Sequence, residues 1–221
     1  MLKKFCLFLL VSCLSFAGFA QKYRAILTTE YGKIEMELYD KTPKHRDNFV
    51  KLCKKHFYDG TLFHRVIPRF MIQGGDPDSK TAAPGAMLGN GDVGYRIPAE
   101  FQDEYIHKRG ALAAARDNNP EKASSGCQFY IVQGKKFTEA QLDEVARKTG
   151  RTYTPEQKRL YETIGGAPHL DANYTVFGEV IAGMDIVDKI AGQKRDRLDR
   201  PEKDQRILKL RVKRRFLFFW I

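Results

Sequence analysis

Apolar and charged residues alternate from Gly32 to Leu38, where Ile34, Met36 and Leu38 are set among Lys33, Glu35 and Glu37. That is the period of a half-buried strand, and with Tyr23–Thr28 before it the stretch predicts a hairpin. Thr42-Pro43 then opens a helix, with a hydroxyl at the cap and proline in the first turn. Phe49, Leu52 and Cys53 follow at helical spacing, and Tyr58-Asp59-Gly60 closes the element. Short apolar runs come next at Leu62–Ile67 and Phe70–Gln73, interrupted by Pro68. Pro77 to Gly94 is rich in Gly, Pro, Asn and Asp without sustained periodicity, which predicts a long surface loop. Strand candidates follow at Gly110–Ala115, Phe129–Gln133 and Thr175–Val180, then a helix at Met184–Ala191. In the last strand Leu208, Leu210 and Val212 alternate with Lys209, Arg211 and Lys213. Many short strands, two helices and no βαβ rhythm predict a mainly all-β domain closed into a barrel.

One segment departs from this pattern. Thr138-Glu139-Ala140-Gln141 and Thr154-Pro155-Glu156-Gln157 both have the form of a capping box, threonine followed three residues later by glutamine. The two helices they open stop near Gly150 and Gly165. Leu142, Val145 and Ala146 stripe one, and Leu160, Tyr161 and Ile164 the other. Residues 137–166 therefore read as a helical hairpin inserted into a barrel loop, with no chemistry of its own.

The two ends differ from the body. Lys3 and Lys4 precede an apolar run from Phe5 to Phe19, and Gly18-Phe19-Ala20 places small residues where a signal peptidase reads. Residues 1–20 are read as a signal peptide, which makes the protein exported and periplasmic. Leu10-Val11-Ser12-Cys13 also has the look of a lipobox, so the alternative is a lipid anchor at Cys13, the one route by which this chain would meet a membrane. The run is too short for a spanning helix. At the other end, Phe216 to Ile221 is a short apolar tail after the domain at 21–215.

Composition narrows the class. The chain has 221 residues, enough for one well-cored domain, and a formal charge of +11. Loss of residues 1–20 removes Lys3 and Lys4, leaving 36 basic against 27 acidic residues, or +9. The basic residues are interleaved with acids and accompanied by no nucleic-acid-binding signature, so a solvated basic surface is expected and nucleic acid is not. Only Cys53 and Cys127 lie beyond the signal segment; their spacing fits no zinc site and both are expected to be buried thiols.

The chemistry concentrates in Phe63-His64-Arg65-Val66-Ile67-Pro68-Arg69-Phe70-Met71-Ile72-Gln73-Gly74-Gly75-Asp76. An arginine bordering an apolar surface can hold a peptide backbone while the surface takes an uncharged side chain. Together with Gln128-Phe129-Tyr130, the stretch resembles the cyclophilin family of peptidyl-prolyl isomerases. Leu112-Ala113-Ala114-Ala115-Arg116, His169-Leu170-Asp171 and Tyr174-Thr175-Val176-Phe177-Gly178 extend the likeness over roughly residues 23–214 apart from the insertion.

The resemblance implies a closed eight-stranded antiparallel barrel capped by two helices, monomeric, with no metal and no cofactor. Its partners would be proline-containing polypeptides, and its task the folding of other exported proteins. It implies Arg65 as the catalytic arginine and Phe70 and Met71 as proline-pocket lining. Gln73 would hold substrate backbone and orient the arginine. Gln128 and Tyr130 match the next amide–aromatic pair, Tyr130 replacing the usual phenylalanine. Ala115 and Arg116 would pair with bound peptide largely through backbone groups. Leu170 and Tyr174 would form the far wall, beside His169. His169 stands where many members carry tryptophan, which implies weak cyclosporin binding.

Each residue also has a plainer reading when taken singly. An isolated Arg65 is a surface or ion-paired residue, and Phe70 and Met71 are core. His64 is structural, because strand neighbours point to opposite faces. Ser124 and Ser125 beside His64 or His169 suggest a hydrolase, but the Gly-x-Ser-x-Gly elbow is absent. Cys127 is packing rather than redox chemistry. A binding module that grips proline segments with little turnover is the alternative to the isomerase.

Overall fold

The alternation of the first hairpin is kept in space. In β1 (Tyr23–Thr29) and β2 (Gly32–Leu38), Ala25, Leu27, Ile34, Met36 and Leu38 are buried, while the residues between them are not. The computed structural model describes residues 22–216 and 219–220, so the expected signal segment 1–20, with Cys13, lies outside the described residues. The elements that follow are α1 (Pro43–Lys54), β3 (Phe63–Ile67), β4 (Met71–Gly74), β5 (Arg96–Ile97), β6 (Ala111–Ala114), β7 (Ser124–Ser125) and β8 (Phe129–Val132). Then come α2 (Glu139–Thr149), α3 (Pro155–Thr163), β9 (Val176–Ala182), α4 (Met184–Ala191), β10 (Lys209–Phe216) and β11 (Phe219–Trp220). Nine strands form one antiparallel sheet in the order β11-β10-β1-β2-β9-β6-β8-β4-β3, and β5 pairs with β7 apart from it.

This corrects the expected closed eight-stranded barrel: the ladder is an open half-barrel with β3 at one edge. The chain returning before β10 lies along that edge. The amides of Gly60, Phe63 and Val66 donate to the carbonyls of Ile207, Gln205 and Asp199, at 2.8–2.9 Å. The returning segment cannot continue as a strand because Asp199 adopts φ 65° and Pro201 lacks an amide hydrogen. At the opposite edge β11 folds back on β10, with the Arg24 guanidinium 4.3 Å over the Trp220 ring.

The two faces of the sheet bury different sets. Val66, Ile72, Leu112 and Ile131 face α1 and α4, in the main core with Phe49, Tyr58, Phe129 and Phe177. Full burial of such a side chain contributes about 1.5–3 kcal/mol. Met71, Ala113, Tyr130, Val132 and Val176 point the other way into a second cluster. Inside the first core Cys53 and Cys127 are free thiols, and burial raises both, Cys127 to about 11.

The helix starts show where local reading holds and where it fails. Both capping boxes of the insertion form as expected, with Thr138 and Thr154 each accepting from the amide three residues on. Thr42 does precede α1, but its hydroxyl makes no cap hydrogen bond. Glu100, from 55 residues away, takes that role and accepts from the amides of Lys44 and His45 at 3.0 Å each. A carboxylate suits the positive end of the helix better than a hydroxyl.

The turn after α1 is fastened to β10 by Asp59. Its carboxylate accepts from both Arg211 terminal nitrogens (2.8 and 2.7 Å) and from the Leu210 amide (3.0 Å). The Arg211 hydrogen bonds hold its pKa down to about 2, below the ordinary 3.8. The native state thus prefers the ionised form, so this stabilisation is complete above the ordinary value and disappears as pH falls through it toward 2. Asp59→Asn is expected to be less stable than wild type at pH 6 by about 1 kcal/mol. The gap should close between pH 4 and pH 2 in denaturant melts; a gap independent of pH would contradict this assignment.

Candidate active site

A single row of cross-strand neighbours assembles the site. Arg65 on β3 is opposite Gln73 on β4, Gln73 is opposite Tyr130 on β8, and Tyr130 is opposite Ala113 on β6. Residues so paired share one face of a sheet, which brings together side chains up to 65 positions apart in sequence. Phe70 arrives from the turn between β3 and β4. Pro68 and Arg69 are its central residues, Arg69 at φ 63°, and the Phe70 amide closes it on the Ile67 carbonyl. Gly75, at φ 92°, ends β4 so close to β8 that a Cβ there would lie 2.4 Å from the Cys127 carbonyl.

Arg65, Phe70, Met71, Gln73, Ala115, Arg116, Tyr130, Leu170 and Tyr174 line one cavity of about 150 Å³. Of the residues expected in the site, only Gln128 and His169 are not in its lining. Gln128 lines an adjoining cavity of about 780 Å³ that shares Gln73, Ala115 and Arg116 with the first. His169 packs behind the pocket, its ring 5.4 Å from that of Phe70, and burial lowers its pKa.

The hydrogen bonds fix which way the amides face. Gln128 Nε2 donates to two loop carbonyls, Gly89 (2.9 Å) and Gly91 (2.8 Å), so its Oε1 is left for Gln73 Nε2 at 3.1 Å. Gln73 must then turn its own Oε1 to Arg65, whose terminal nitrogen lies 3.4 Å away. An amide has one acceptor end and one donor end, so anchoring Gln128 at the loop orients the whole chain toward the guanidinium. Behind Arg65, its Nε lies 3.8 Å from Asp199 Oδ2, and the Arg65 side chain is 44% exposed. The cation is thus approached by an amide and a carboxylate on its protein side and left open toward the pocket.

Backbone pairing differs between Ala115 and Arg116. The Ala115 amide already donates to the Gln128 carbonyl (2.9 Å), and the Ala115 carbonyl accepts from Ser125 (2.8 Å). Arg116 has no backbone hydrogen bond among the described residues. Its side chain is anchored to the Asn173 and Asp117 carbonyls, and its guanidinium sits 4.8 Å over the Tyr174 ring.

The plainer readings can be placed as well. His64 is buried with both ring nitrogens unpartnered, and burial lowers its pKa to about 4. It also lines a cavity of about 320 Å³ on the far side of Arg65, with Gly89, Asp196, Leu198 and Arg200, a neighbourhood the sequence pattern did not signal. Ser124 pairs with neither His64 nor His169. Its Oγ is 3.0 Å from His45 Nε2, and His45 Nδ1 is 2.7 Å from Glu100. The order resembles a hydrolase triad, but Ser124 and His45 are buried, so no substrate reaches the hydroxyl. Ser125 Oγ accepts from the Cys127 and Gln128 amides and shapes the turn into β8. Among the described residues no group of three or more His, Cys, Asp or Glu could hold a metal ion.

Comparison with known proteins identifies the family and the fold. Residues 24–212 match the family model for cyclophilin-type peptidyl-prolyl cis-trans isomerases. A peptidyl-prolyl cis-trans isomerase of Acinetobacter baylyi is 40% identical over 169 residues, covering 75% of this chain and 70% of the relative. A putative isomerase of Staphylococcus saprophyticus is 37% identical over 182 residues, covering 82% and 87%. A putative bifunctional phosphatase/isomerase of Streptococcus pyogenes is 38% identical over 184 residues, but the match spans only 37% of its length. In fold, the chain is similar to a Cryptosporidium parvum cyclophilin-type isomerase solved in the presence of the dipeptide Ala-Pro. The TM-score is 0.60 and the identity 23%, over 86% of this chain and 98% of that one. The chain belongs to the cyclophilin-type peptidyl-prolyl cis-trans isomerases.

Proposed function

We propose that Arg65 accelerates isomerisation of X-Pro bonds in exported polypeptides by donating a hydrogen bond to the imide nitrogen, while the 150 Å³ cavity holds the proline ring. Resonance gives the bond a barrier of ~18–20 kcal/mol, and rotation removes that resonance, leaving a lone pair on a pyramidal nitrogen. A donor placed there acts mainly in the transition state, so it raises rate rather than affinity. The reaction needs no nucleophile. The observation that carries this reading is the Gln128–Gln73–Arg65 chain, which aims a cation at the edge of an apolar pocket. Met71, Phe70, Tyr130, Leu170 and Tyr174 grip the ring, and peptide backbone pairs with Arg116 rather than Ala115, whose amide is occupied.

An NMR exchange assay on an Ala-Pro peptide tests the activity directly; no line broadening from catalytic amounts of the wild-type chain would refute it. Cyclosporin is expected to inhibit weakly, since His169 offers no indole donor; nanomolar inhibition of turnover would refute that. Export is supported by the pattern of residues 1–20. The mass of the mature N-terminus tests it, with Gln21 as first residue for simple cleavage and a diacylated Cys13 for the anchored form.

A further inference from the structure

The inserted hairpin reaches the pocket through a buried polar chain. Tyr161 of α3 donates to Asp171 Oδ2 at 2.6 Å. Asp171 Oδ1 accepts from the His107 amide (2.8 Å) and faces His107 Nδ1 at 2.7 Å. His107 Nε2 is 2.9 Å from the hydroxyl of Tyr130, on the pocket wall. Tyr161, Asp171, His107 and Tyr130 are all buried, His107 completely. The carboxylate can only accept, so His107 Nδ1 donates; in the tautomer with its proton on Nδ1 alone, Nε2 offers a lone pair to the Tyr130 hydroxyl. In that tautomer the Tyr130 proton is turned away from the pocket, which meets only the ring. That explains how tyrosine serves where the family resemblance expects phenylalanine.

A second contact joins the same two regions. Tyr153, just before the cap of the second inserted helix, donates to the Pro168 carbonyl at 2.9 Å. Pro168 opens the short turn that carries Leu170, another pocket wall. Both tyrosines of the insertion therefore end on the segment or the network that positions the pocket.

We infer that the helical insertion is a brace for the proline pocket and that Tyr161 is a positioning residue, acting on Tyr130 through Asp171 and His107. This rests on Tyr130 being a wall of that pocket. No proton is transferred; the chain fixes the tilt of the Tyr130 ring against Tyr174, 5.9 Å away and edge-on.

A double-mutant cycle on the full chain tests the inference, using kcat/KM for an Ala-Pro peptide and the melting temperature. Tyr161→Phe is expected to lower kcat/KM about fivefold in the wild-type background but less than about twofold once Tyr130→Phe has cut the chain. Its effect on melting temperature should be similar in both backgrounds. An unchanged kcat/KM with a lowered melting temperature would make Tyr161 merely structural, and an equal loss of turnover in both backgrounds would mean that it does not act through Tyr130. Tyr130→Ala separates the two levels: full activity there would remove Tyr130 from the pocket, and with it the premise of the brace. Should Tyr161→Phe not fold, titration of the wild type with the peptide decides the matter. NMR signals of the Tyr161 and His107 rings should shift along with those of Tyr130, and no movement beyond Tyr130 would overturn the inference.

Discussion

Replacing Arg65 by alanine is expected to lower kcat for an Ala-Pro peptide about 100- to 1,000-fold while changing KM less than about threefold. The size follows from what one donor can supply. A million-fold acceleration requires about 8 kcal/mol, and a single preorganised donor aimed at developing charge contributes about 3–4 kcal/mol of it. The remainder falls to the pocket, which holds the ring and leaves the bond free to turn. KM should hardly move because the apolar walls that bind proline stay in place. Arg65→Lys separates charge from shape. A lysine keeps the cation but loses the planar fork that meets Gln73 and points to Asp199, so it should retain only about a tenth of wild-type kcat. Unchanged turnover in Arg65→Ala would dismiss the donor and assign the acceleration to the pocket alone. An equal rise in KM and fall in kcat/KM would move Arg65 from rate to affinity.

The parts of this site that could be read from sequence are those whose geometry is periodic. Alternation in β2 and the two capping boxes depend on neighbours within a few residues, and they appear where expected. The Arg65–Gln73–Tyr130 row was legible only through family spacing, since Gln73 and its cross-strand partner Tyr130 are 57 positions apart and leave no local mark. What escaped has the same physical character throughout. Glu100 takes over a cap that Thr42 was expected to provide, and the segment from Asp199 to Ile207 lies along β3 without joining its ladder. Asp199 and His107 are invisible in the pattern because charged and polar residues in irregular segments have no period to break.

The second large effect is expected at Asp76, which ties the long loop after β4. The residue is fully buried, and its carboxylate accepts from the amides of Asp78 (2.8 Å), Gly89 and Gly91 (3.4 Å). Its backbone carbonyl takes the Ser79 hydroxyl, which in turn accepts from the Leu62 amide at the start of β3. Gly91 fits against it only without a side chain, since a Cβ would come within 2.1 Å of Asp76 Oδ1. Alanine at 76 would leave three amide donors without an acceptor in a closed space. Each unsatisfied buried donor costs about 1–3 kcal/mol, and entering water recovers part of it, so a net loss of about 3 kcal/mol is expected. For a domain of this size that lowers the melting temperature by about 6–12 °C. Turnover should fall too, by about tenfold, through the catalytic relay: the carbonyls of Gly89 and Gly91 are the anchor of Gln128, and Gln128 orients Gln73 toward Arg65. Asp76→Asn keeps one acceptor but turns an amide donor toward other donors, so it should rescue less than half of the lost stability. A melting temperature within 2 °C of wild type in Asp76→Ala would mean that the loop is held by other contacts. A full loss of stability with unchanged kcat, measured well below the melting temperature, would mean that Gln128 keeps its orientation without the loop.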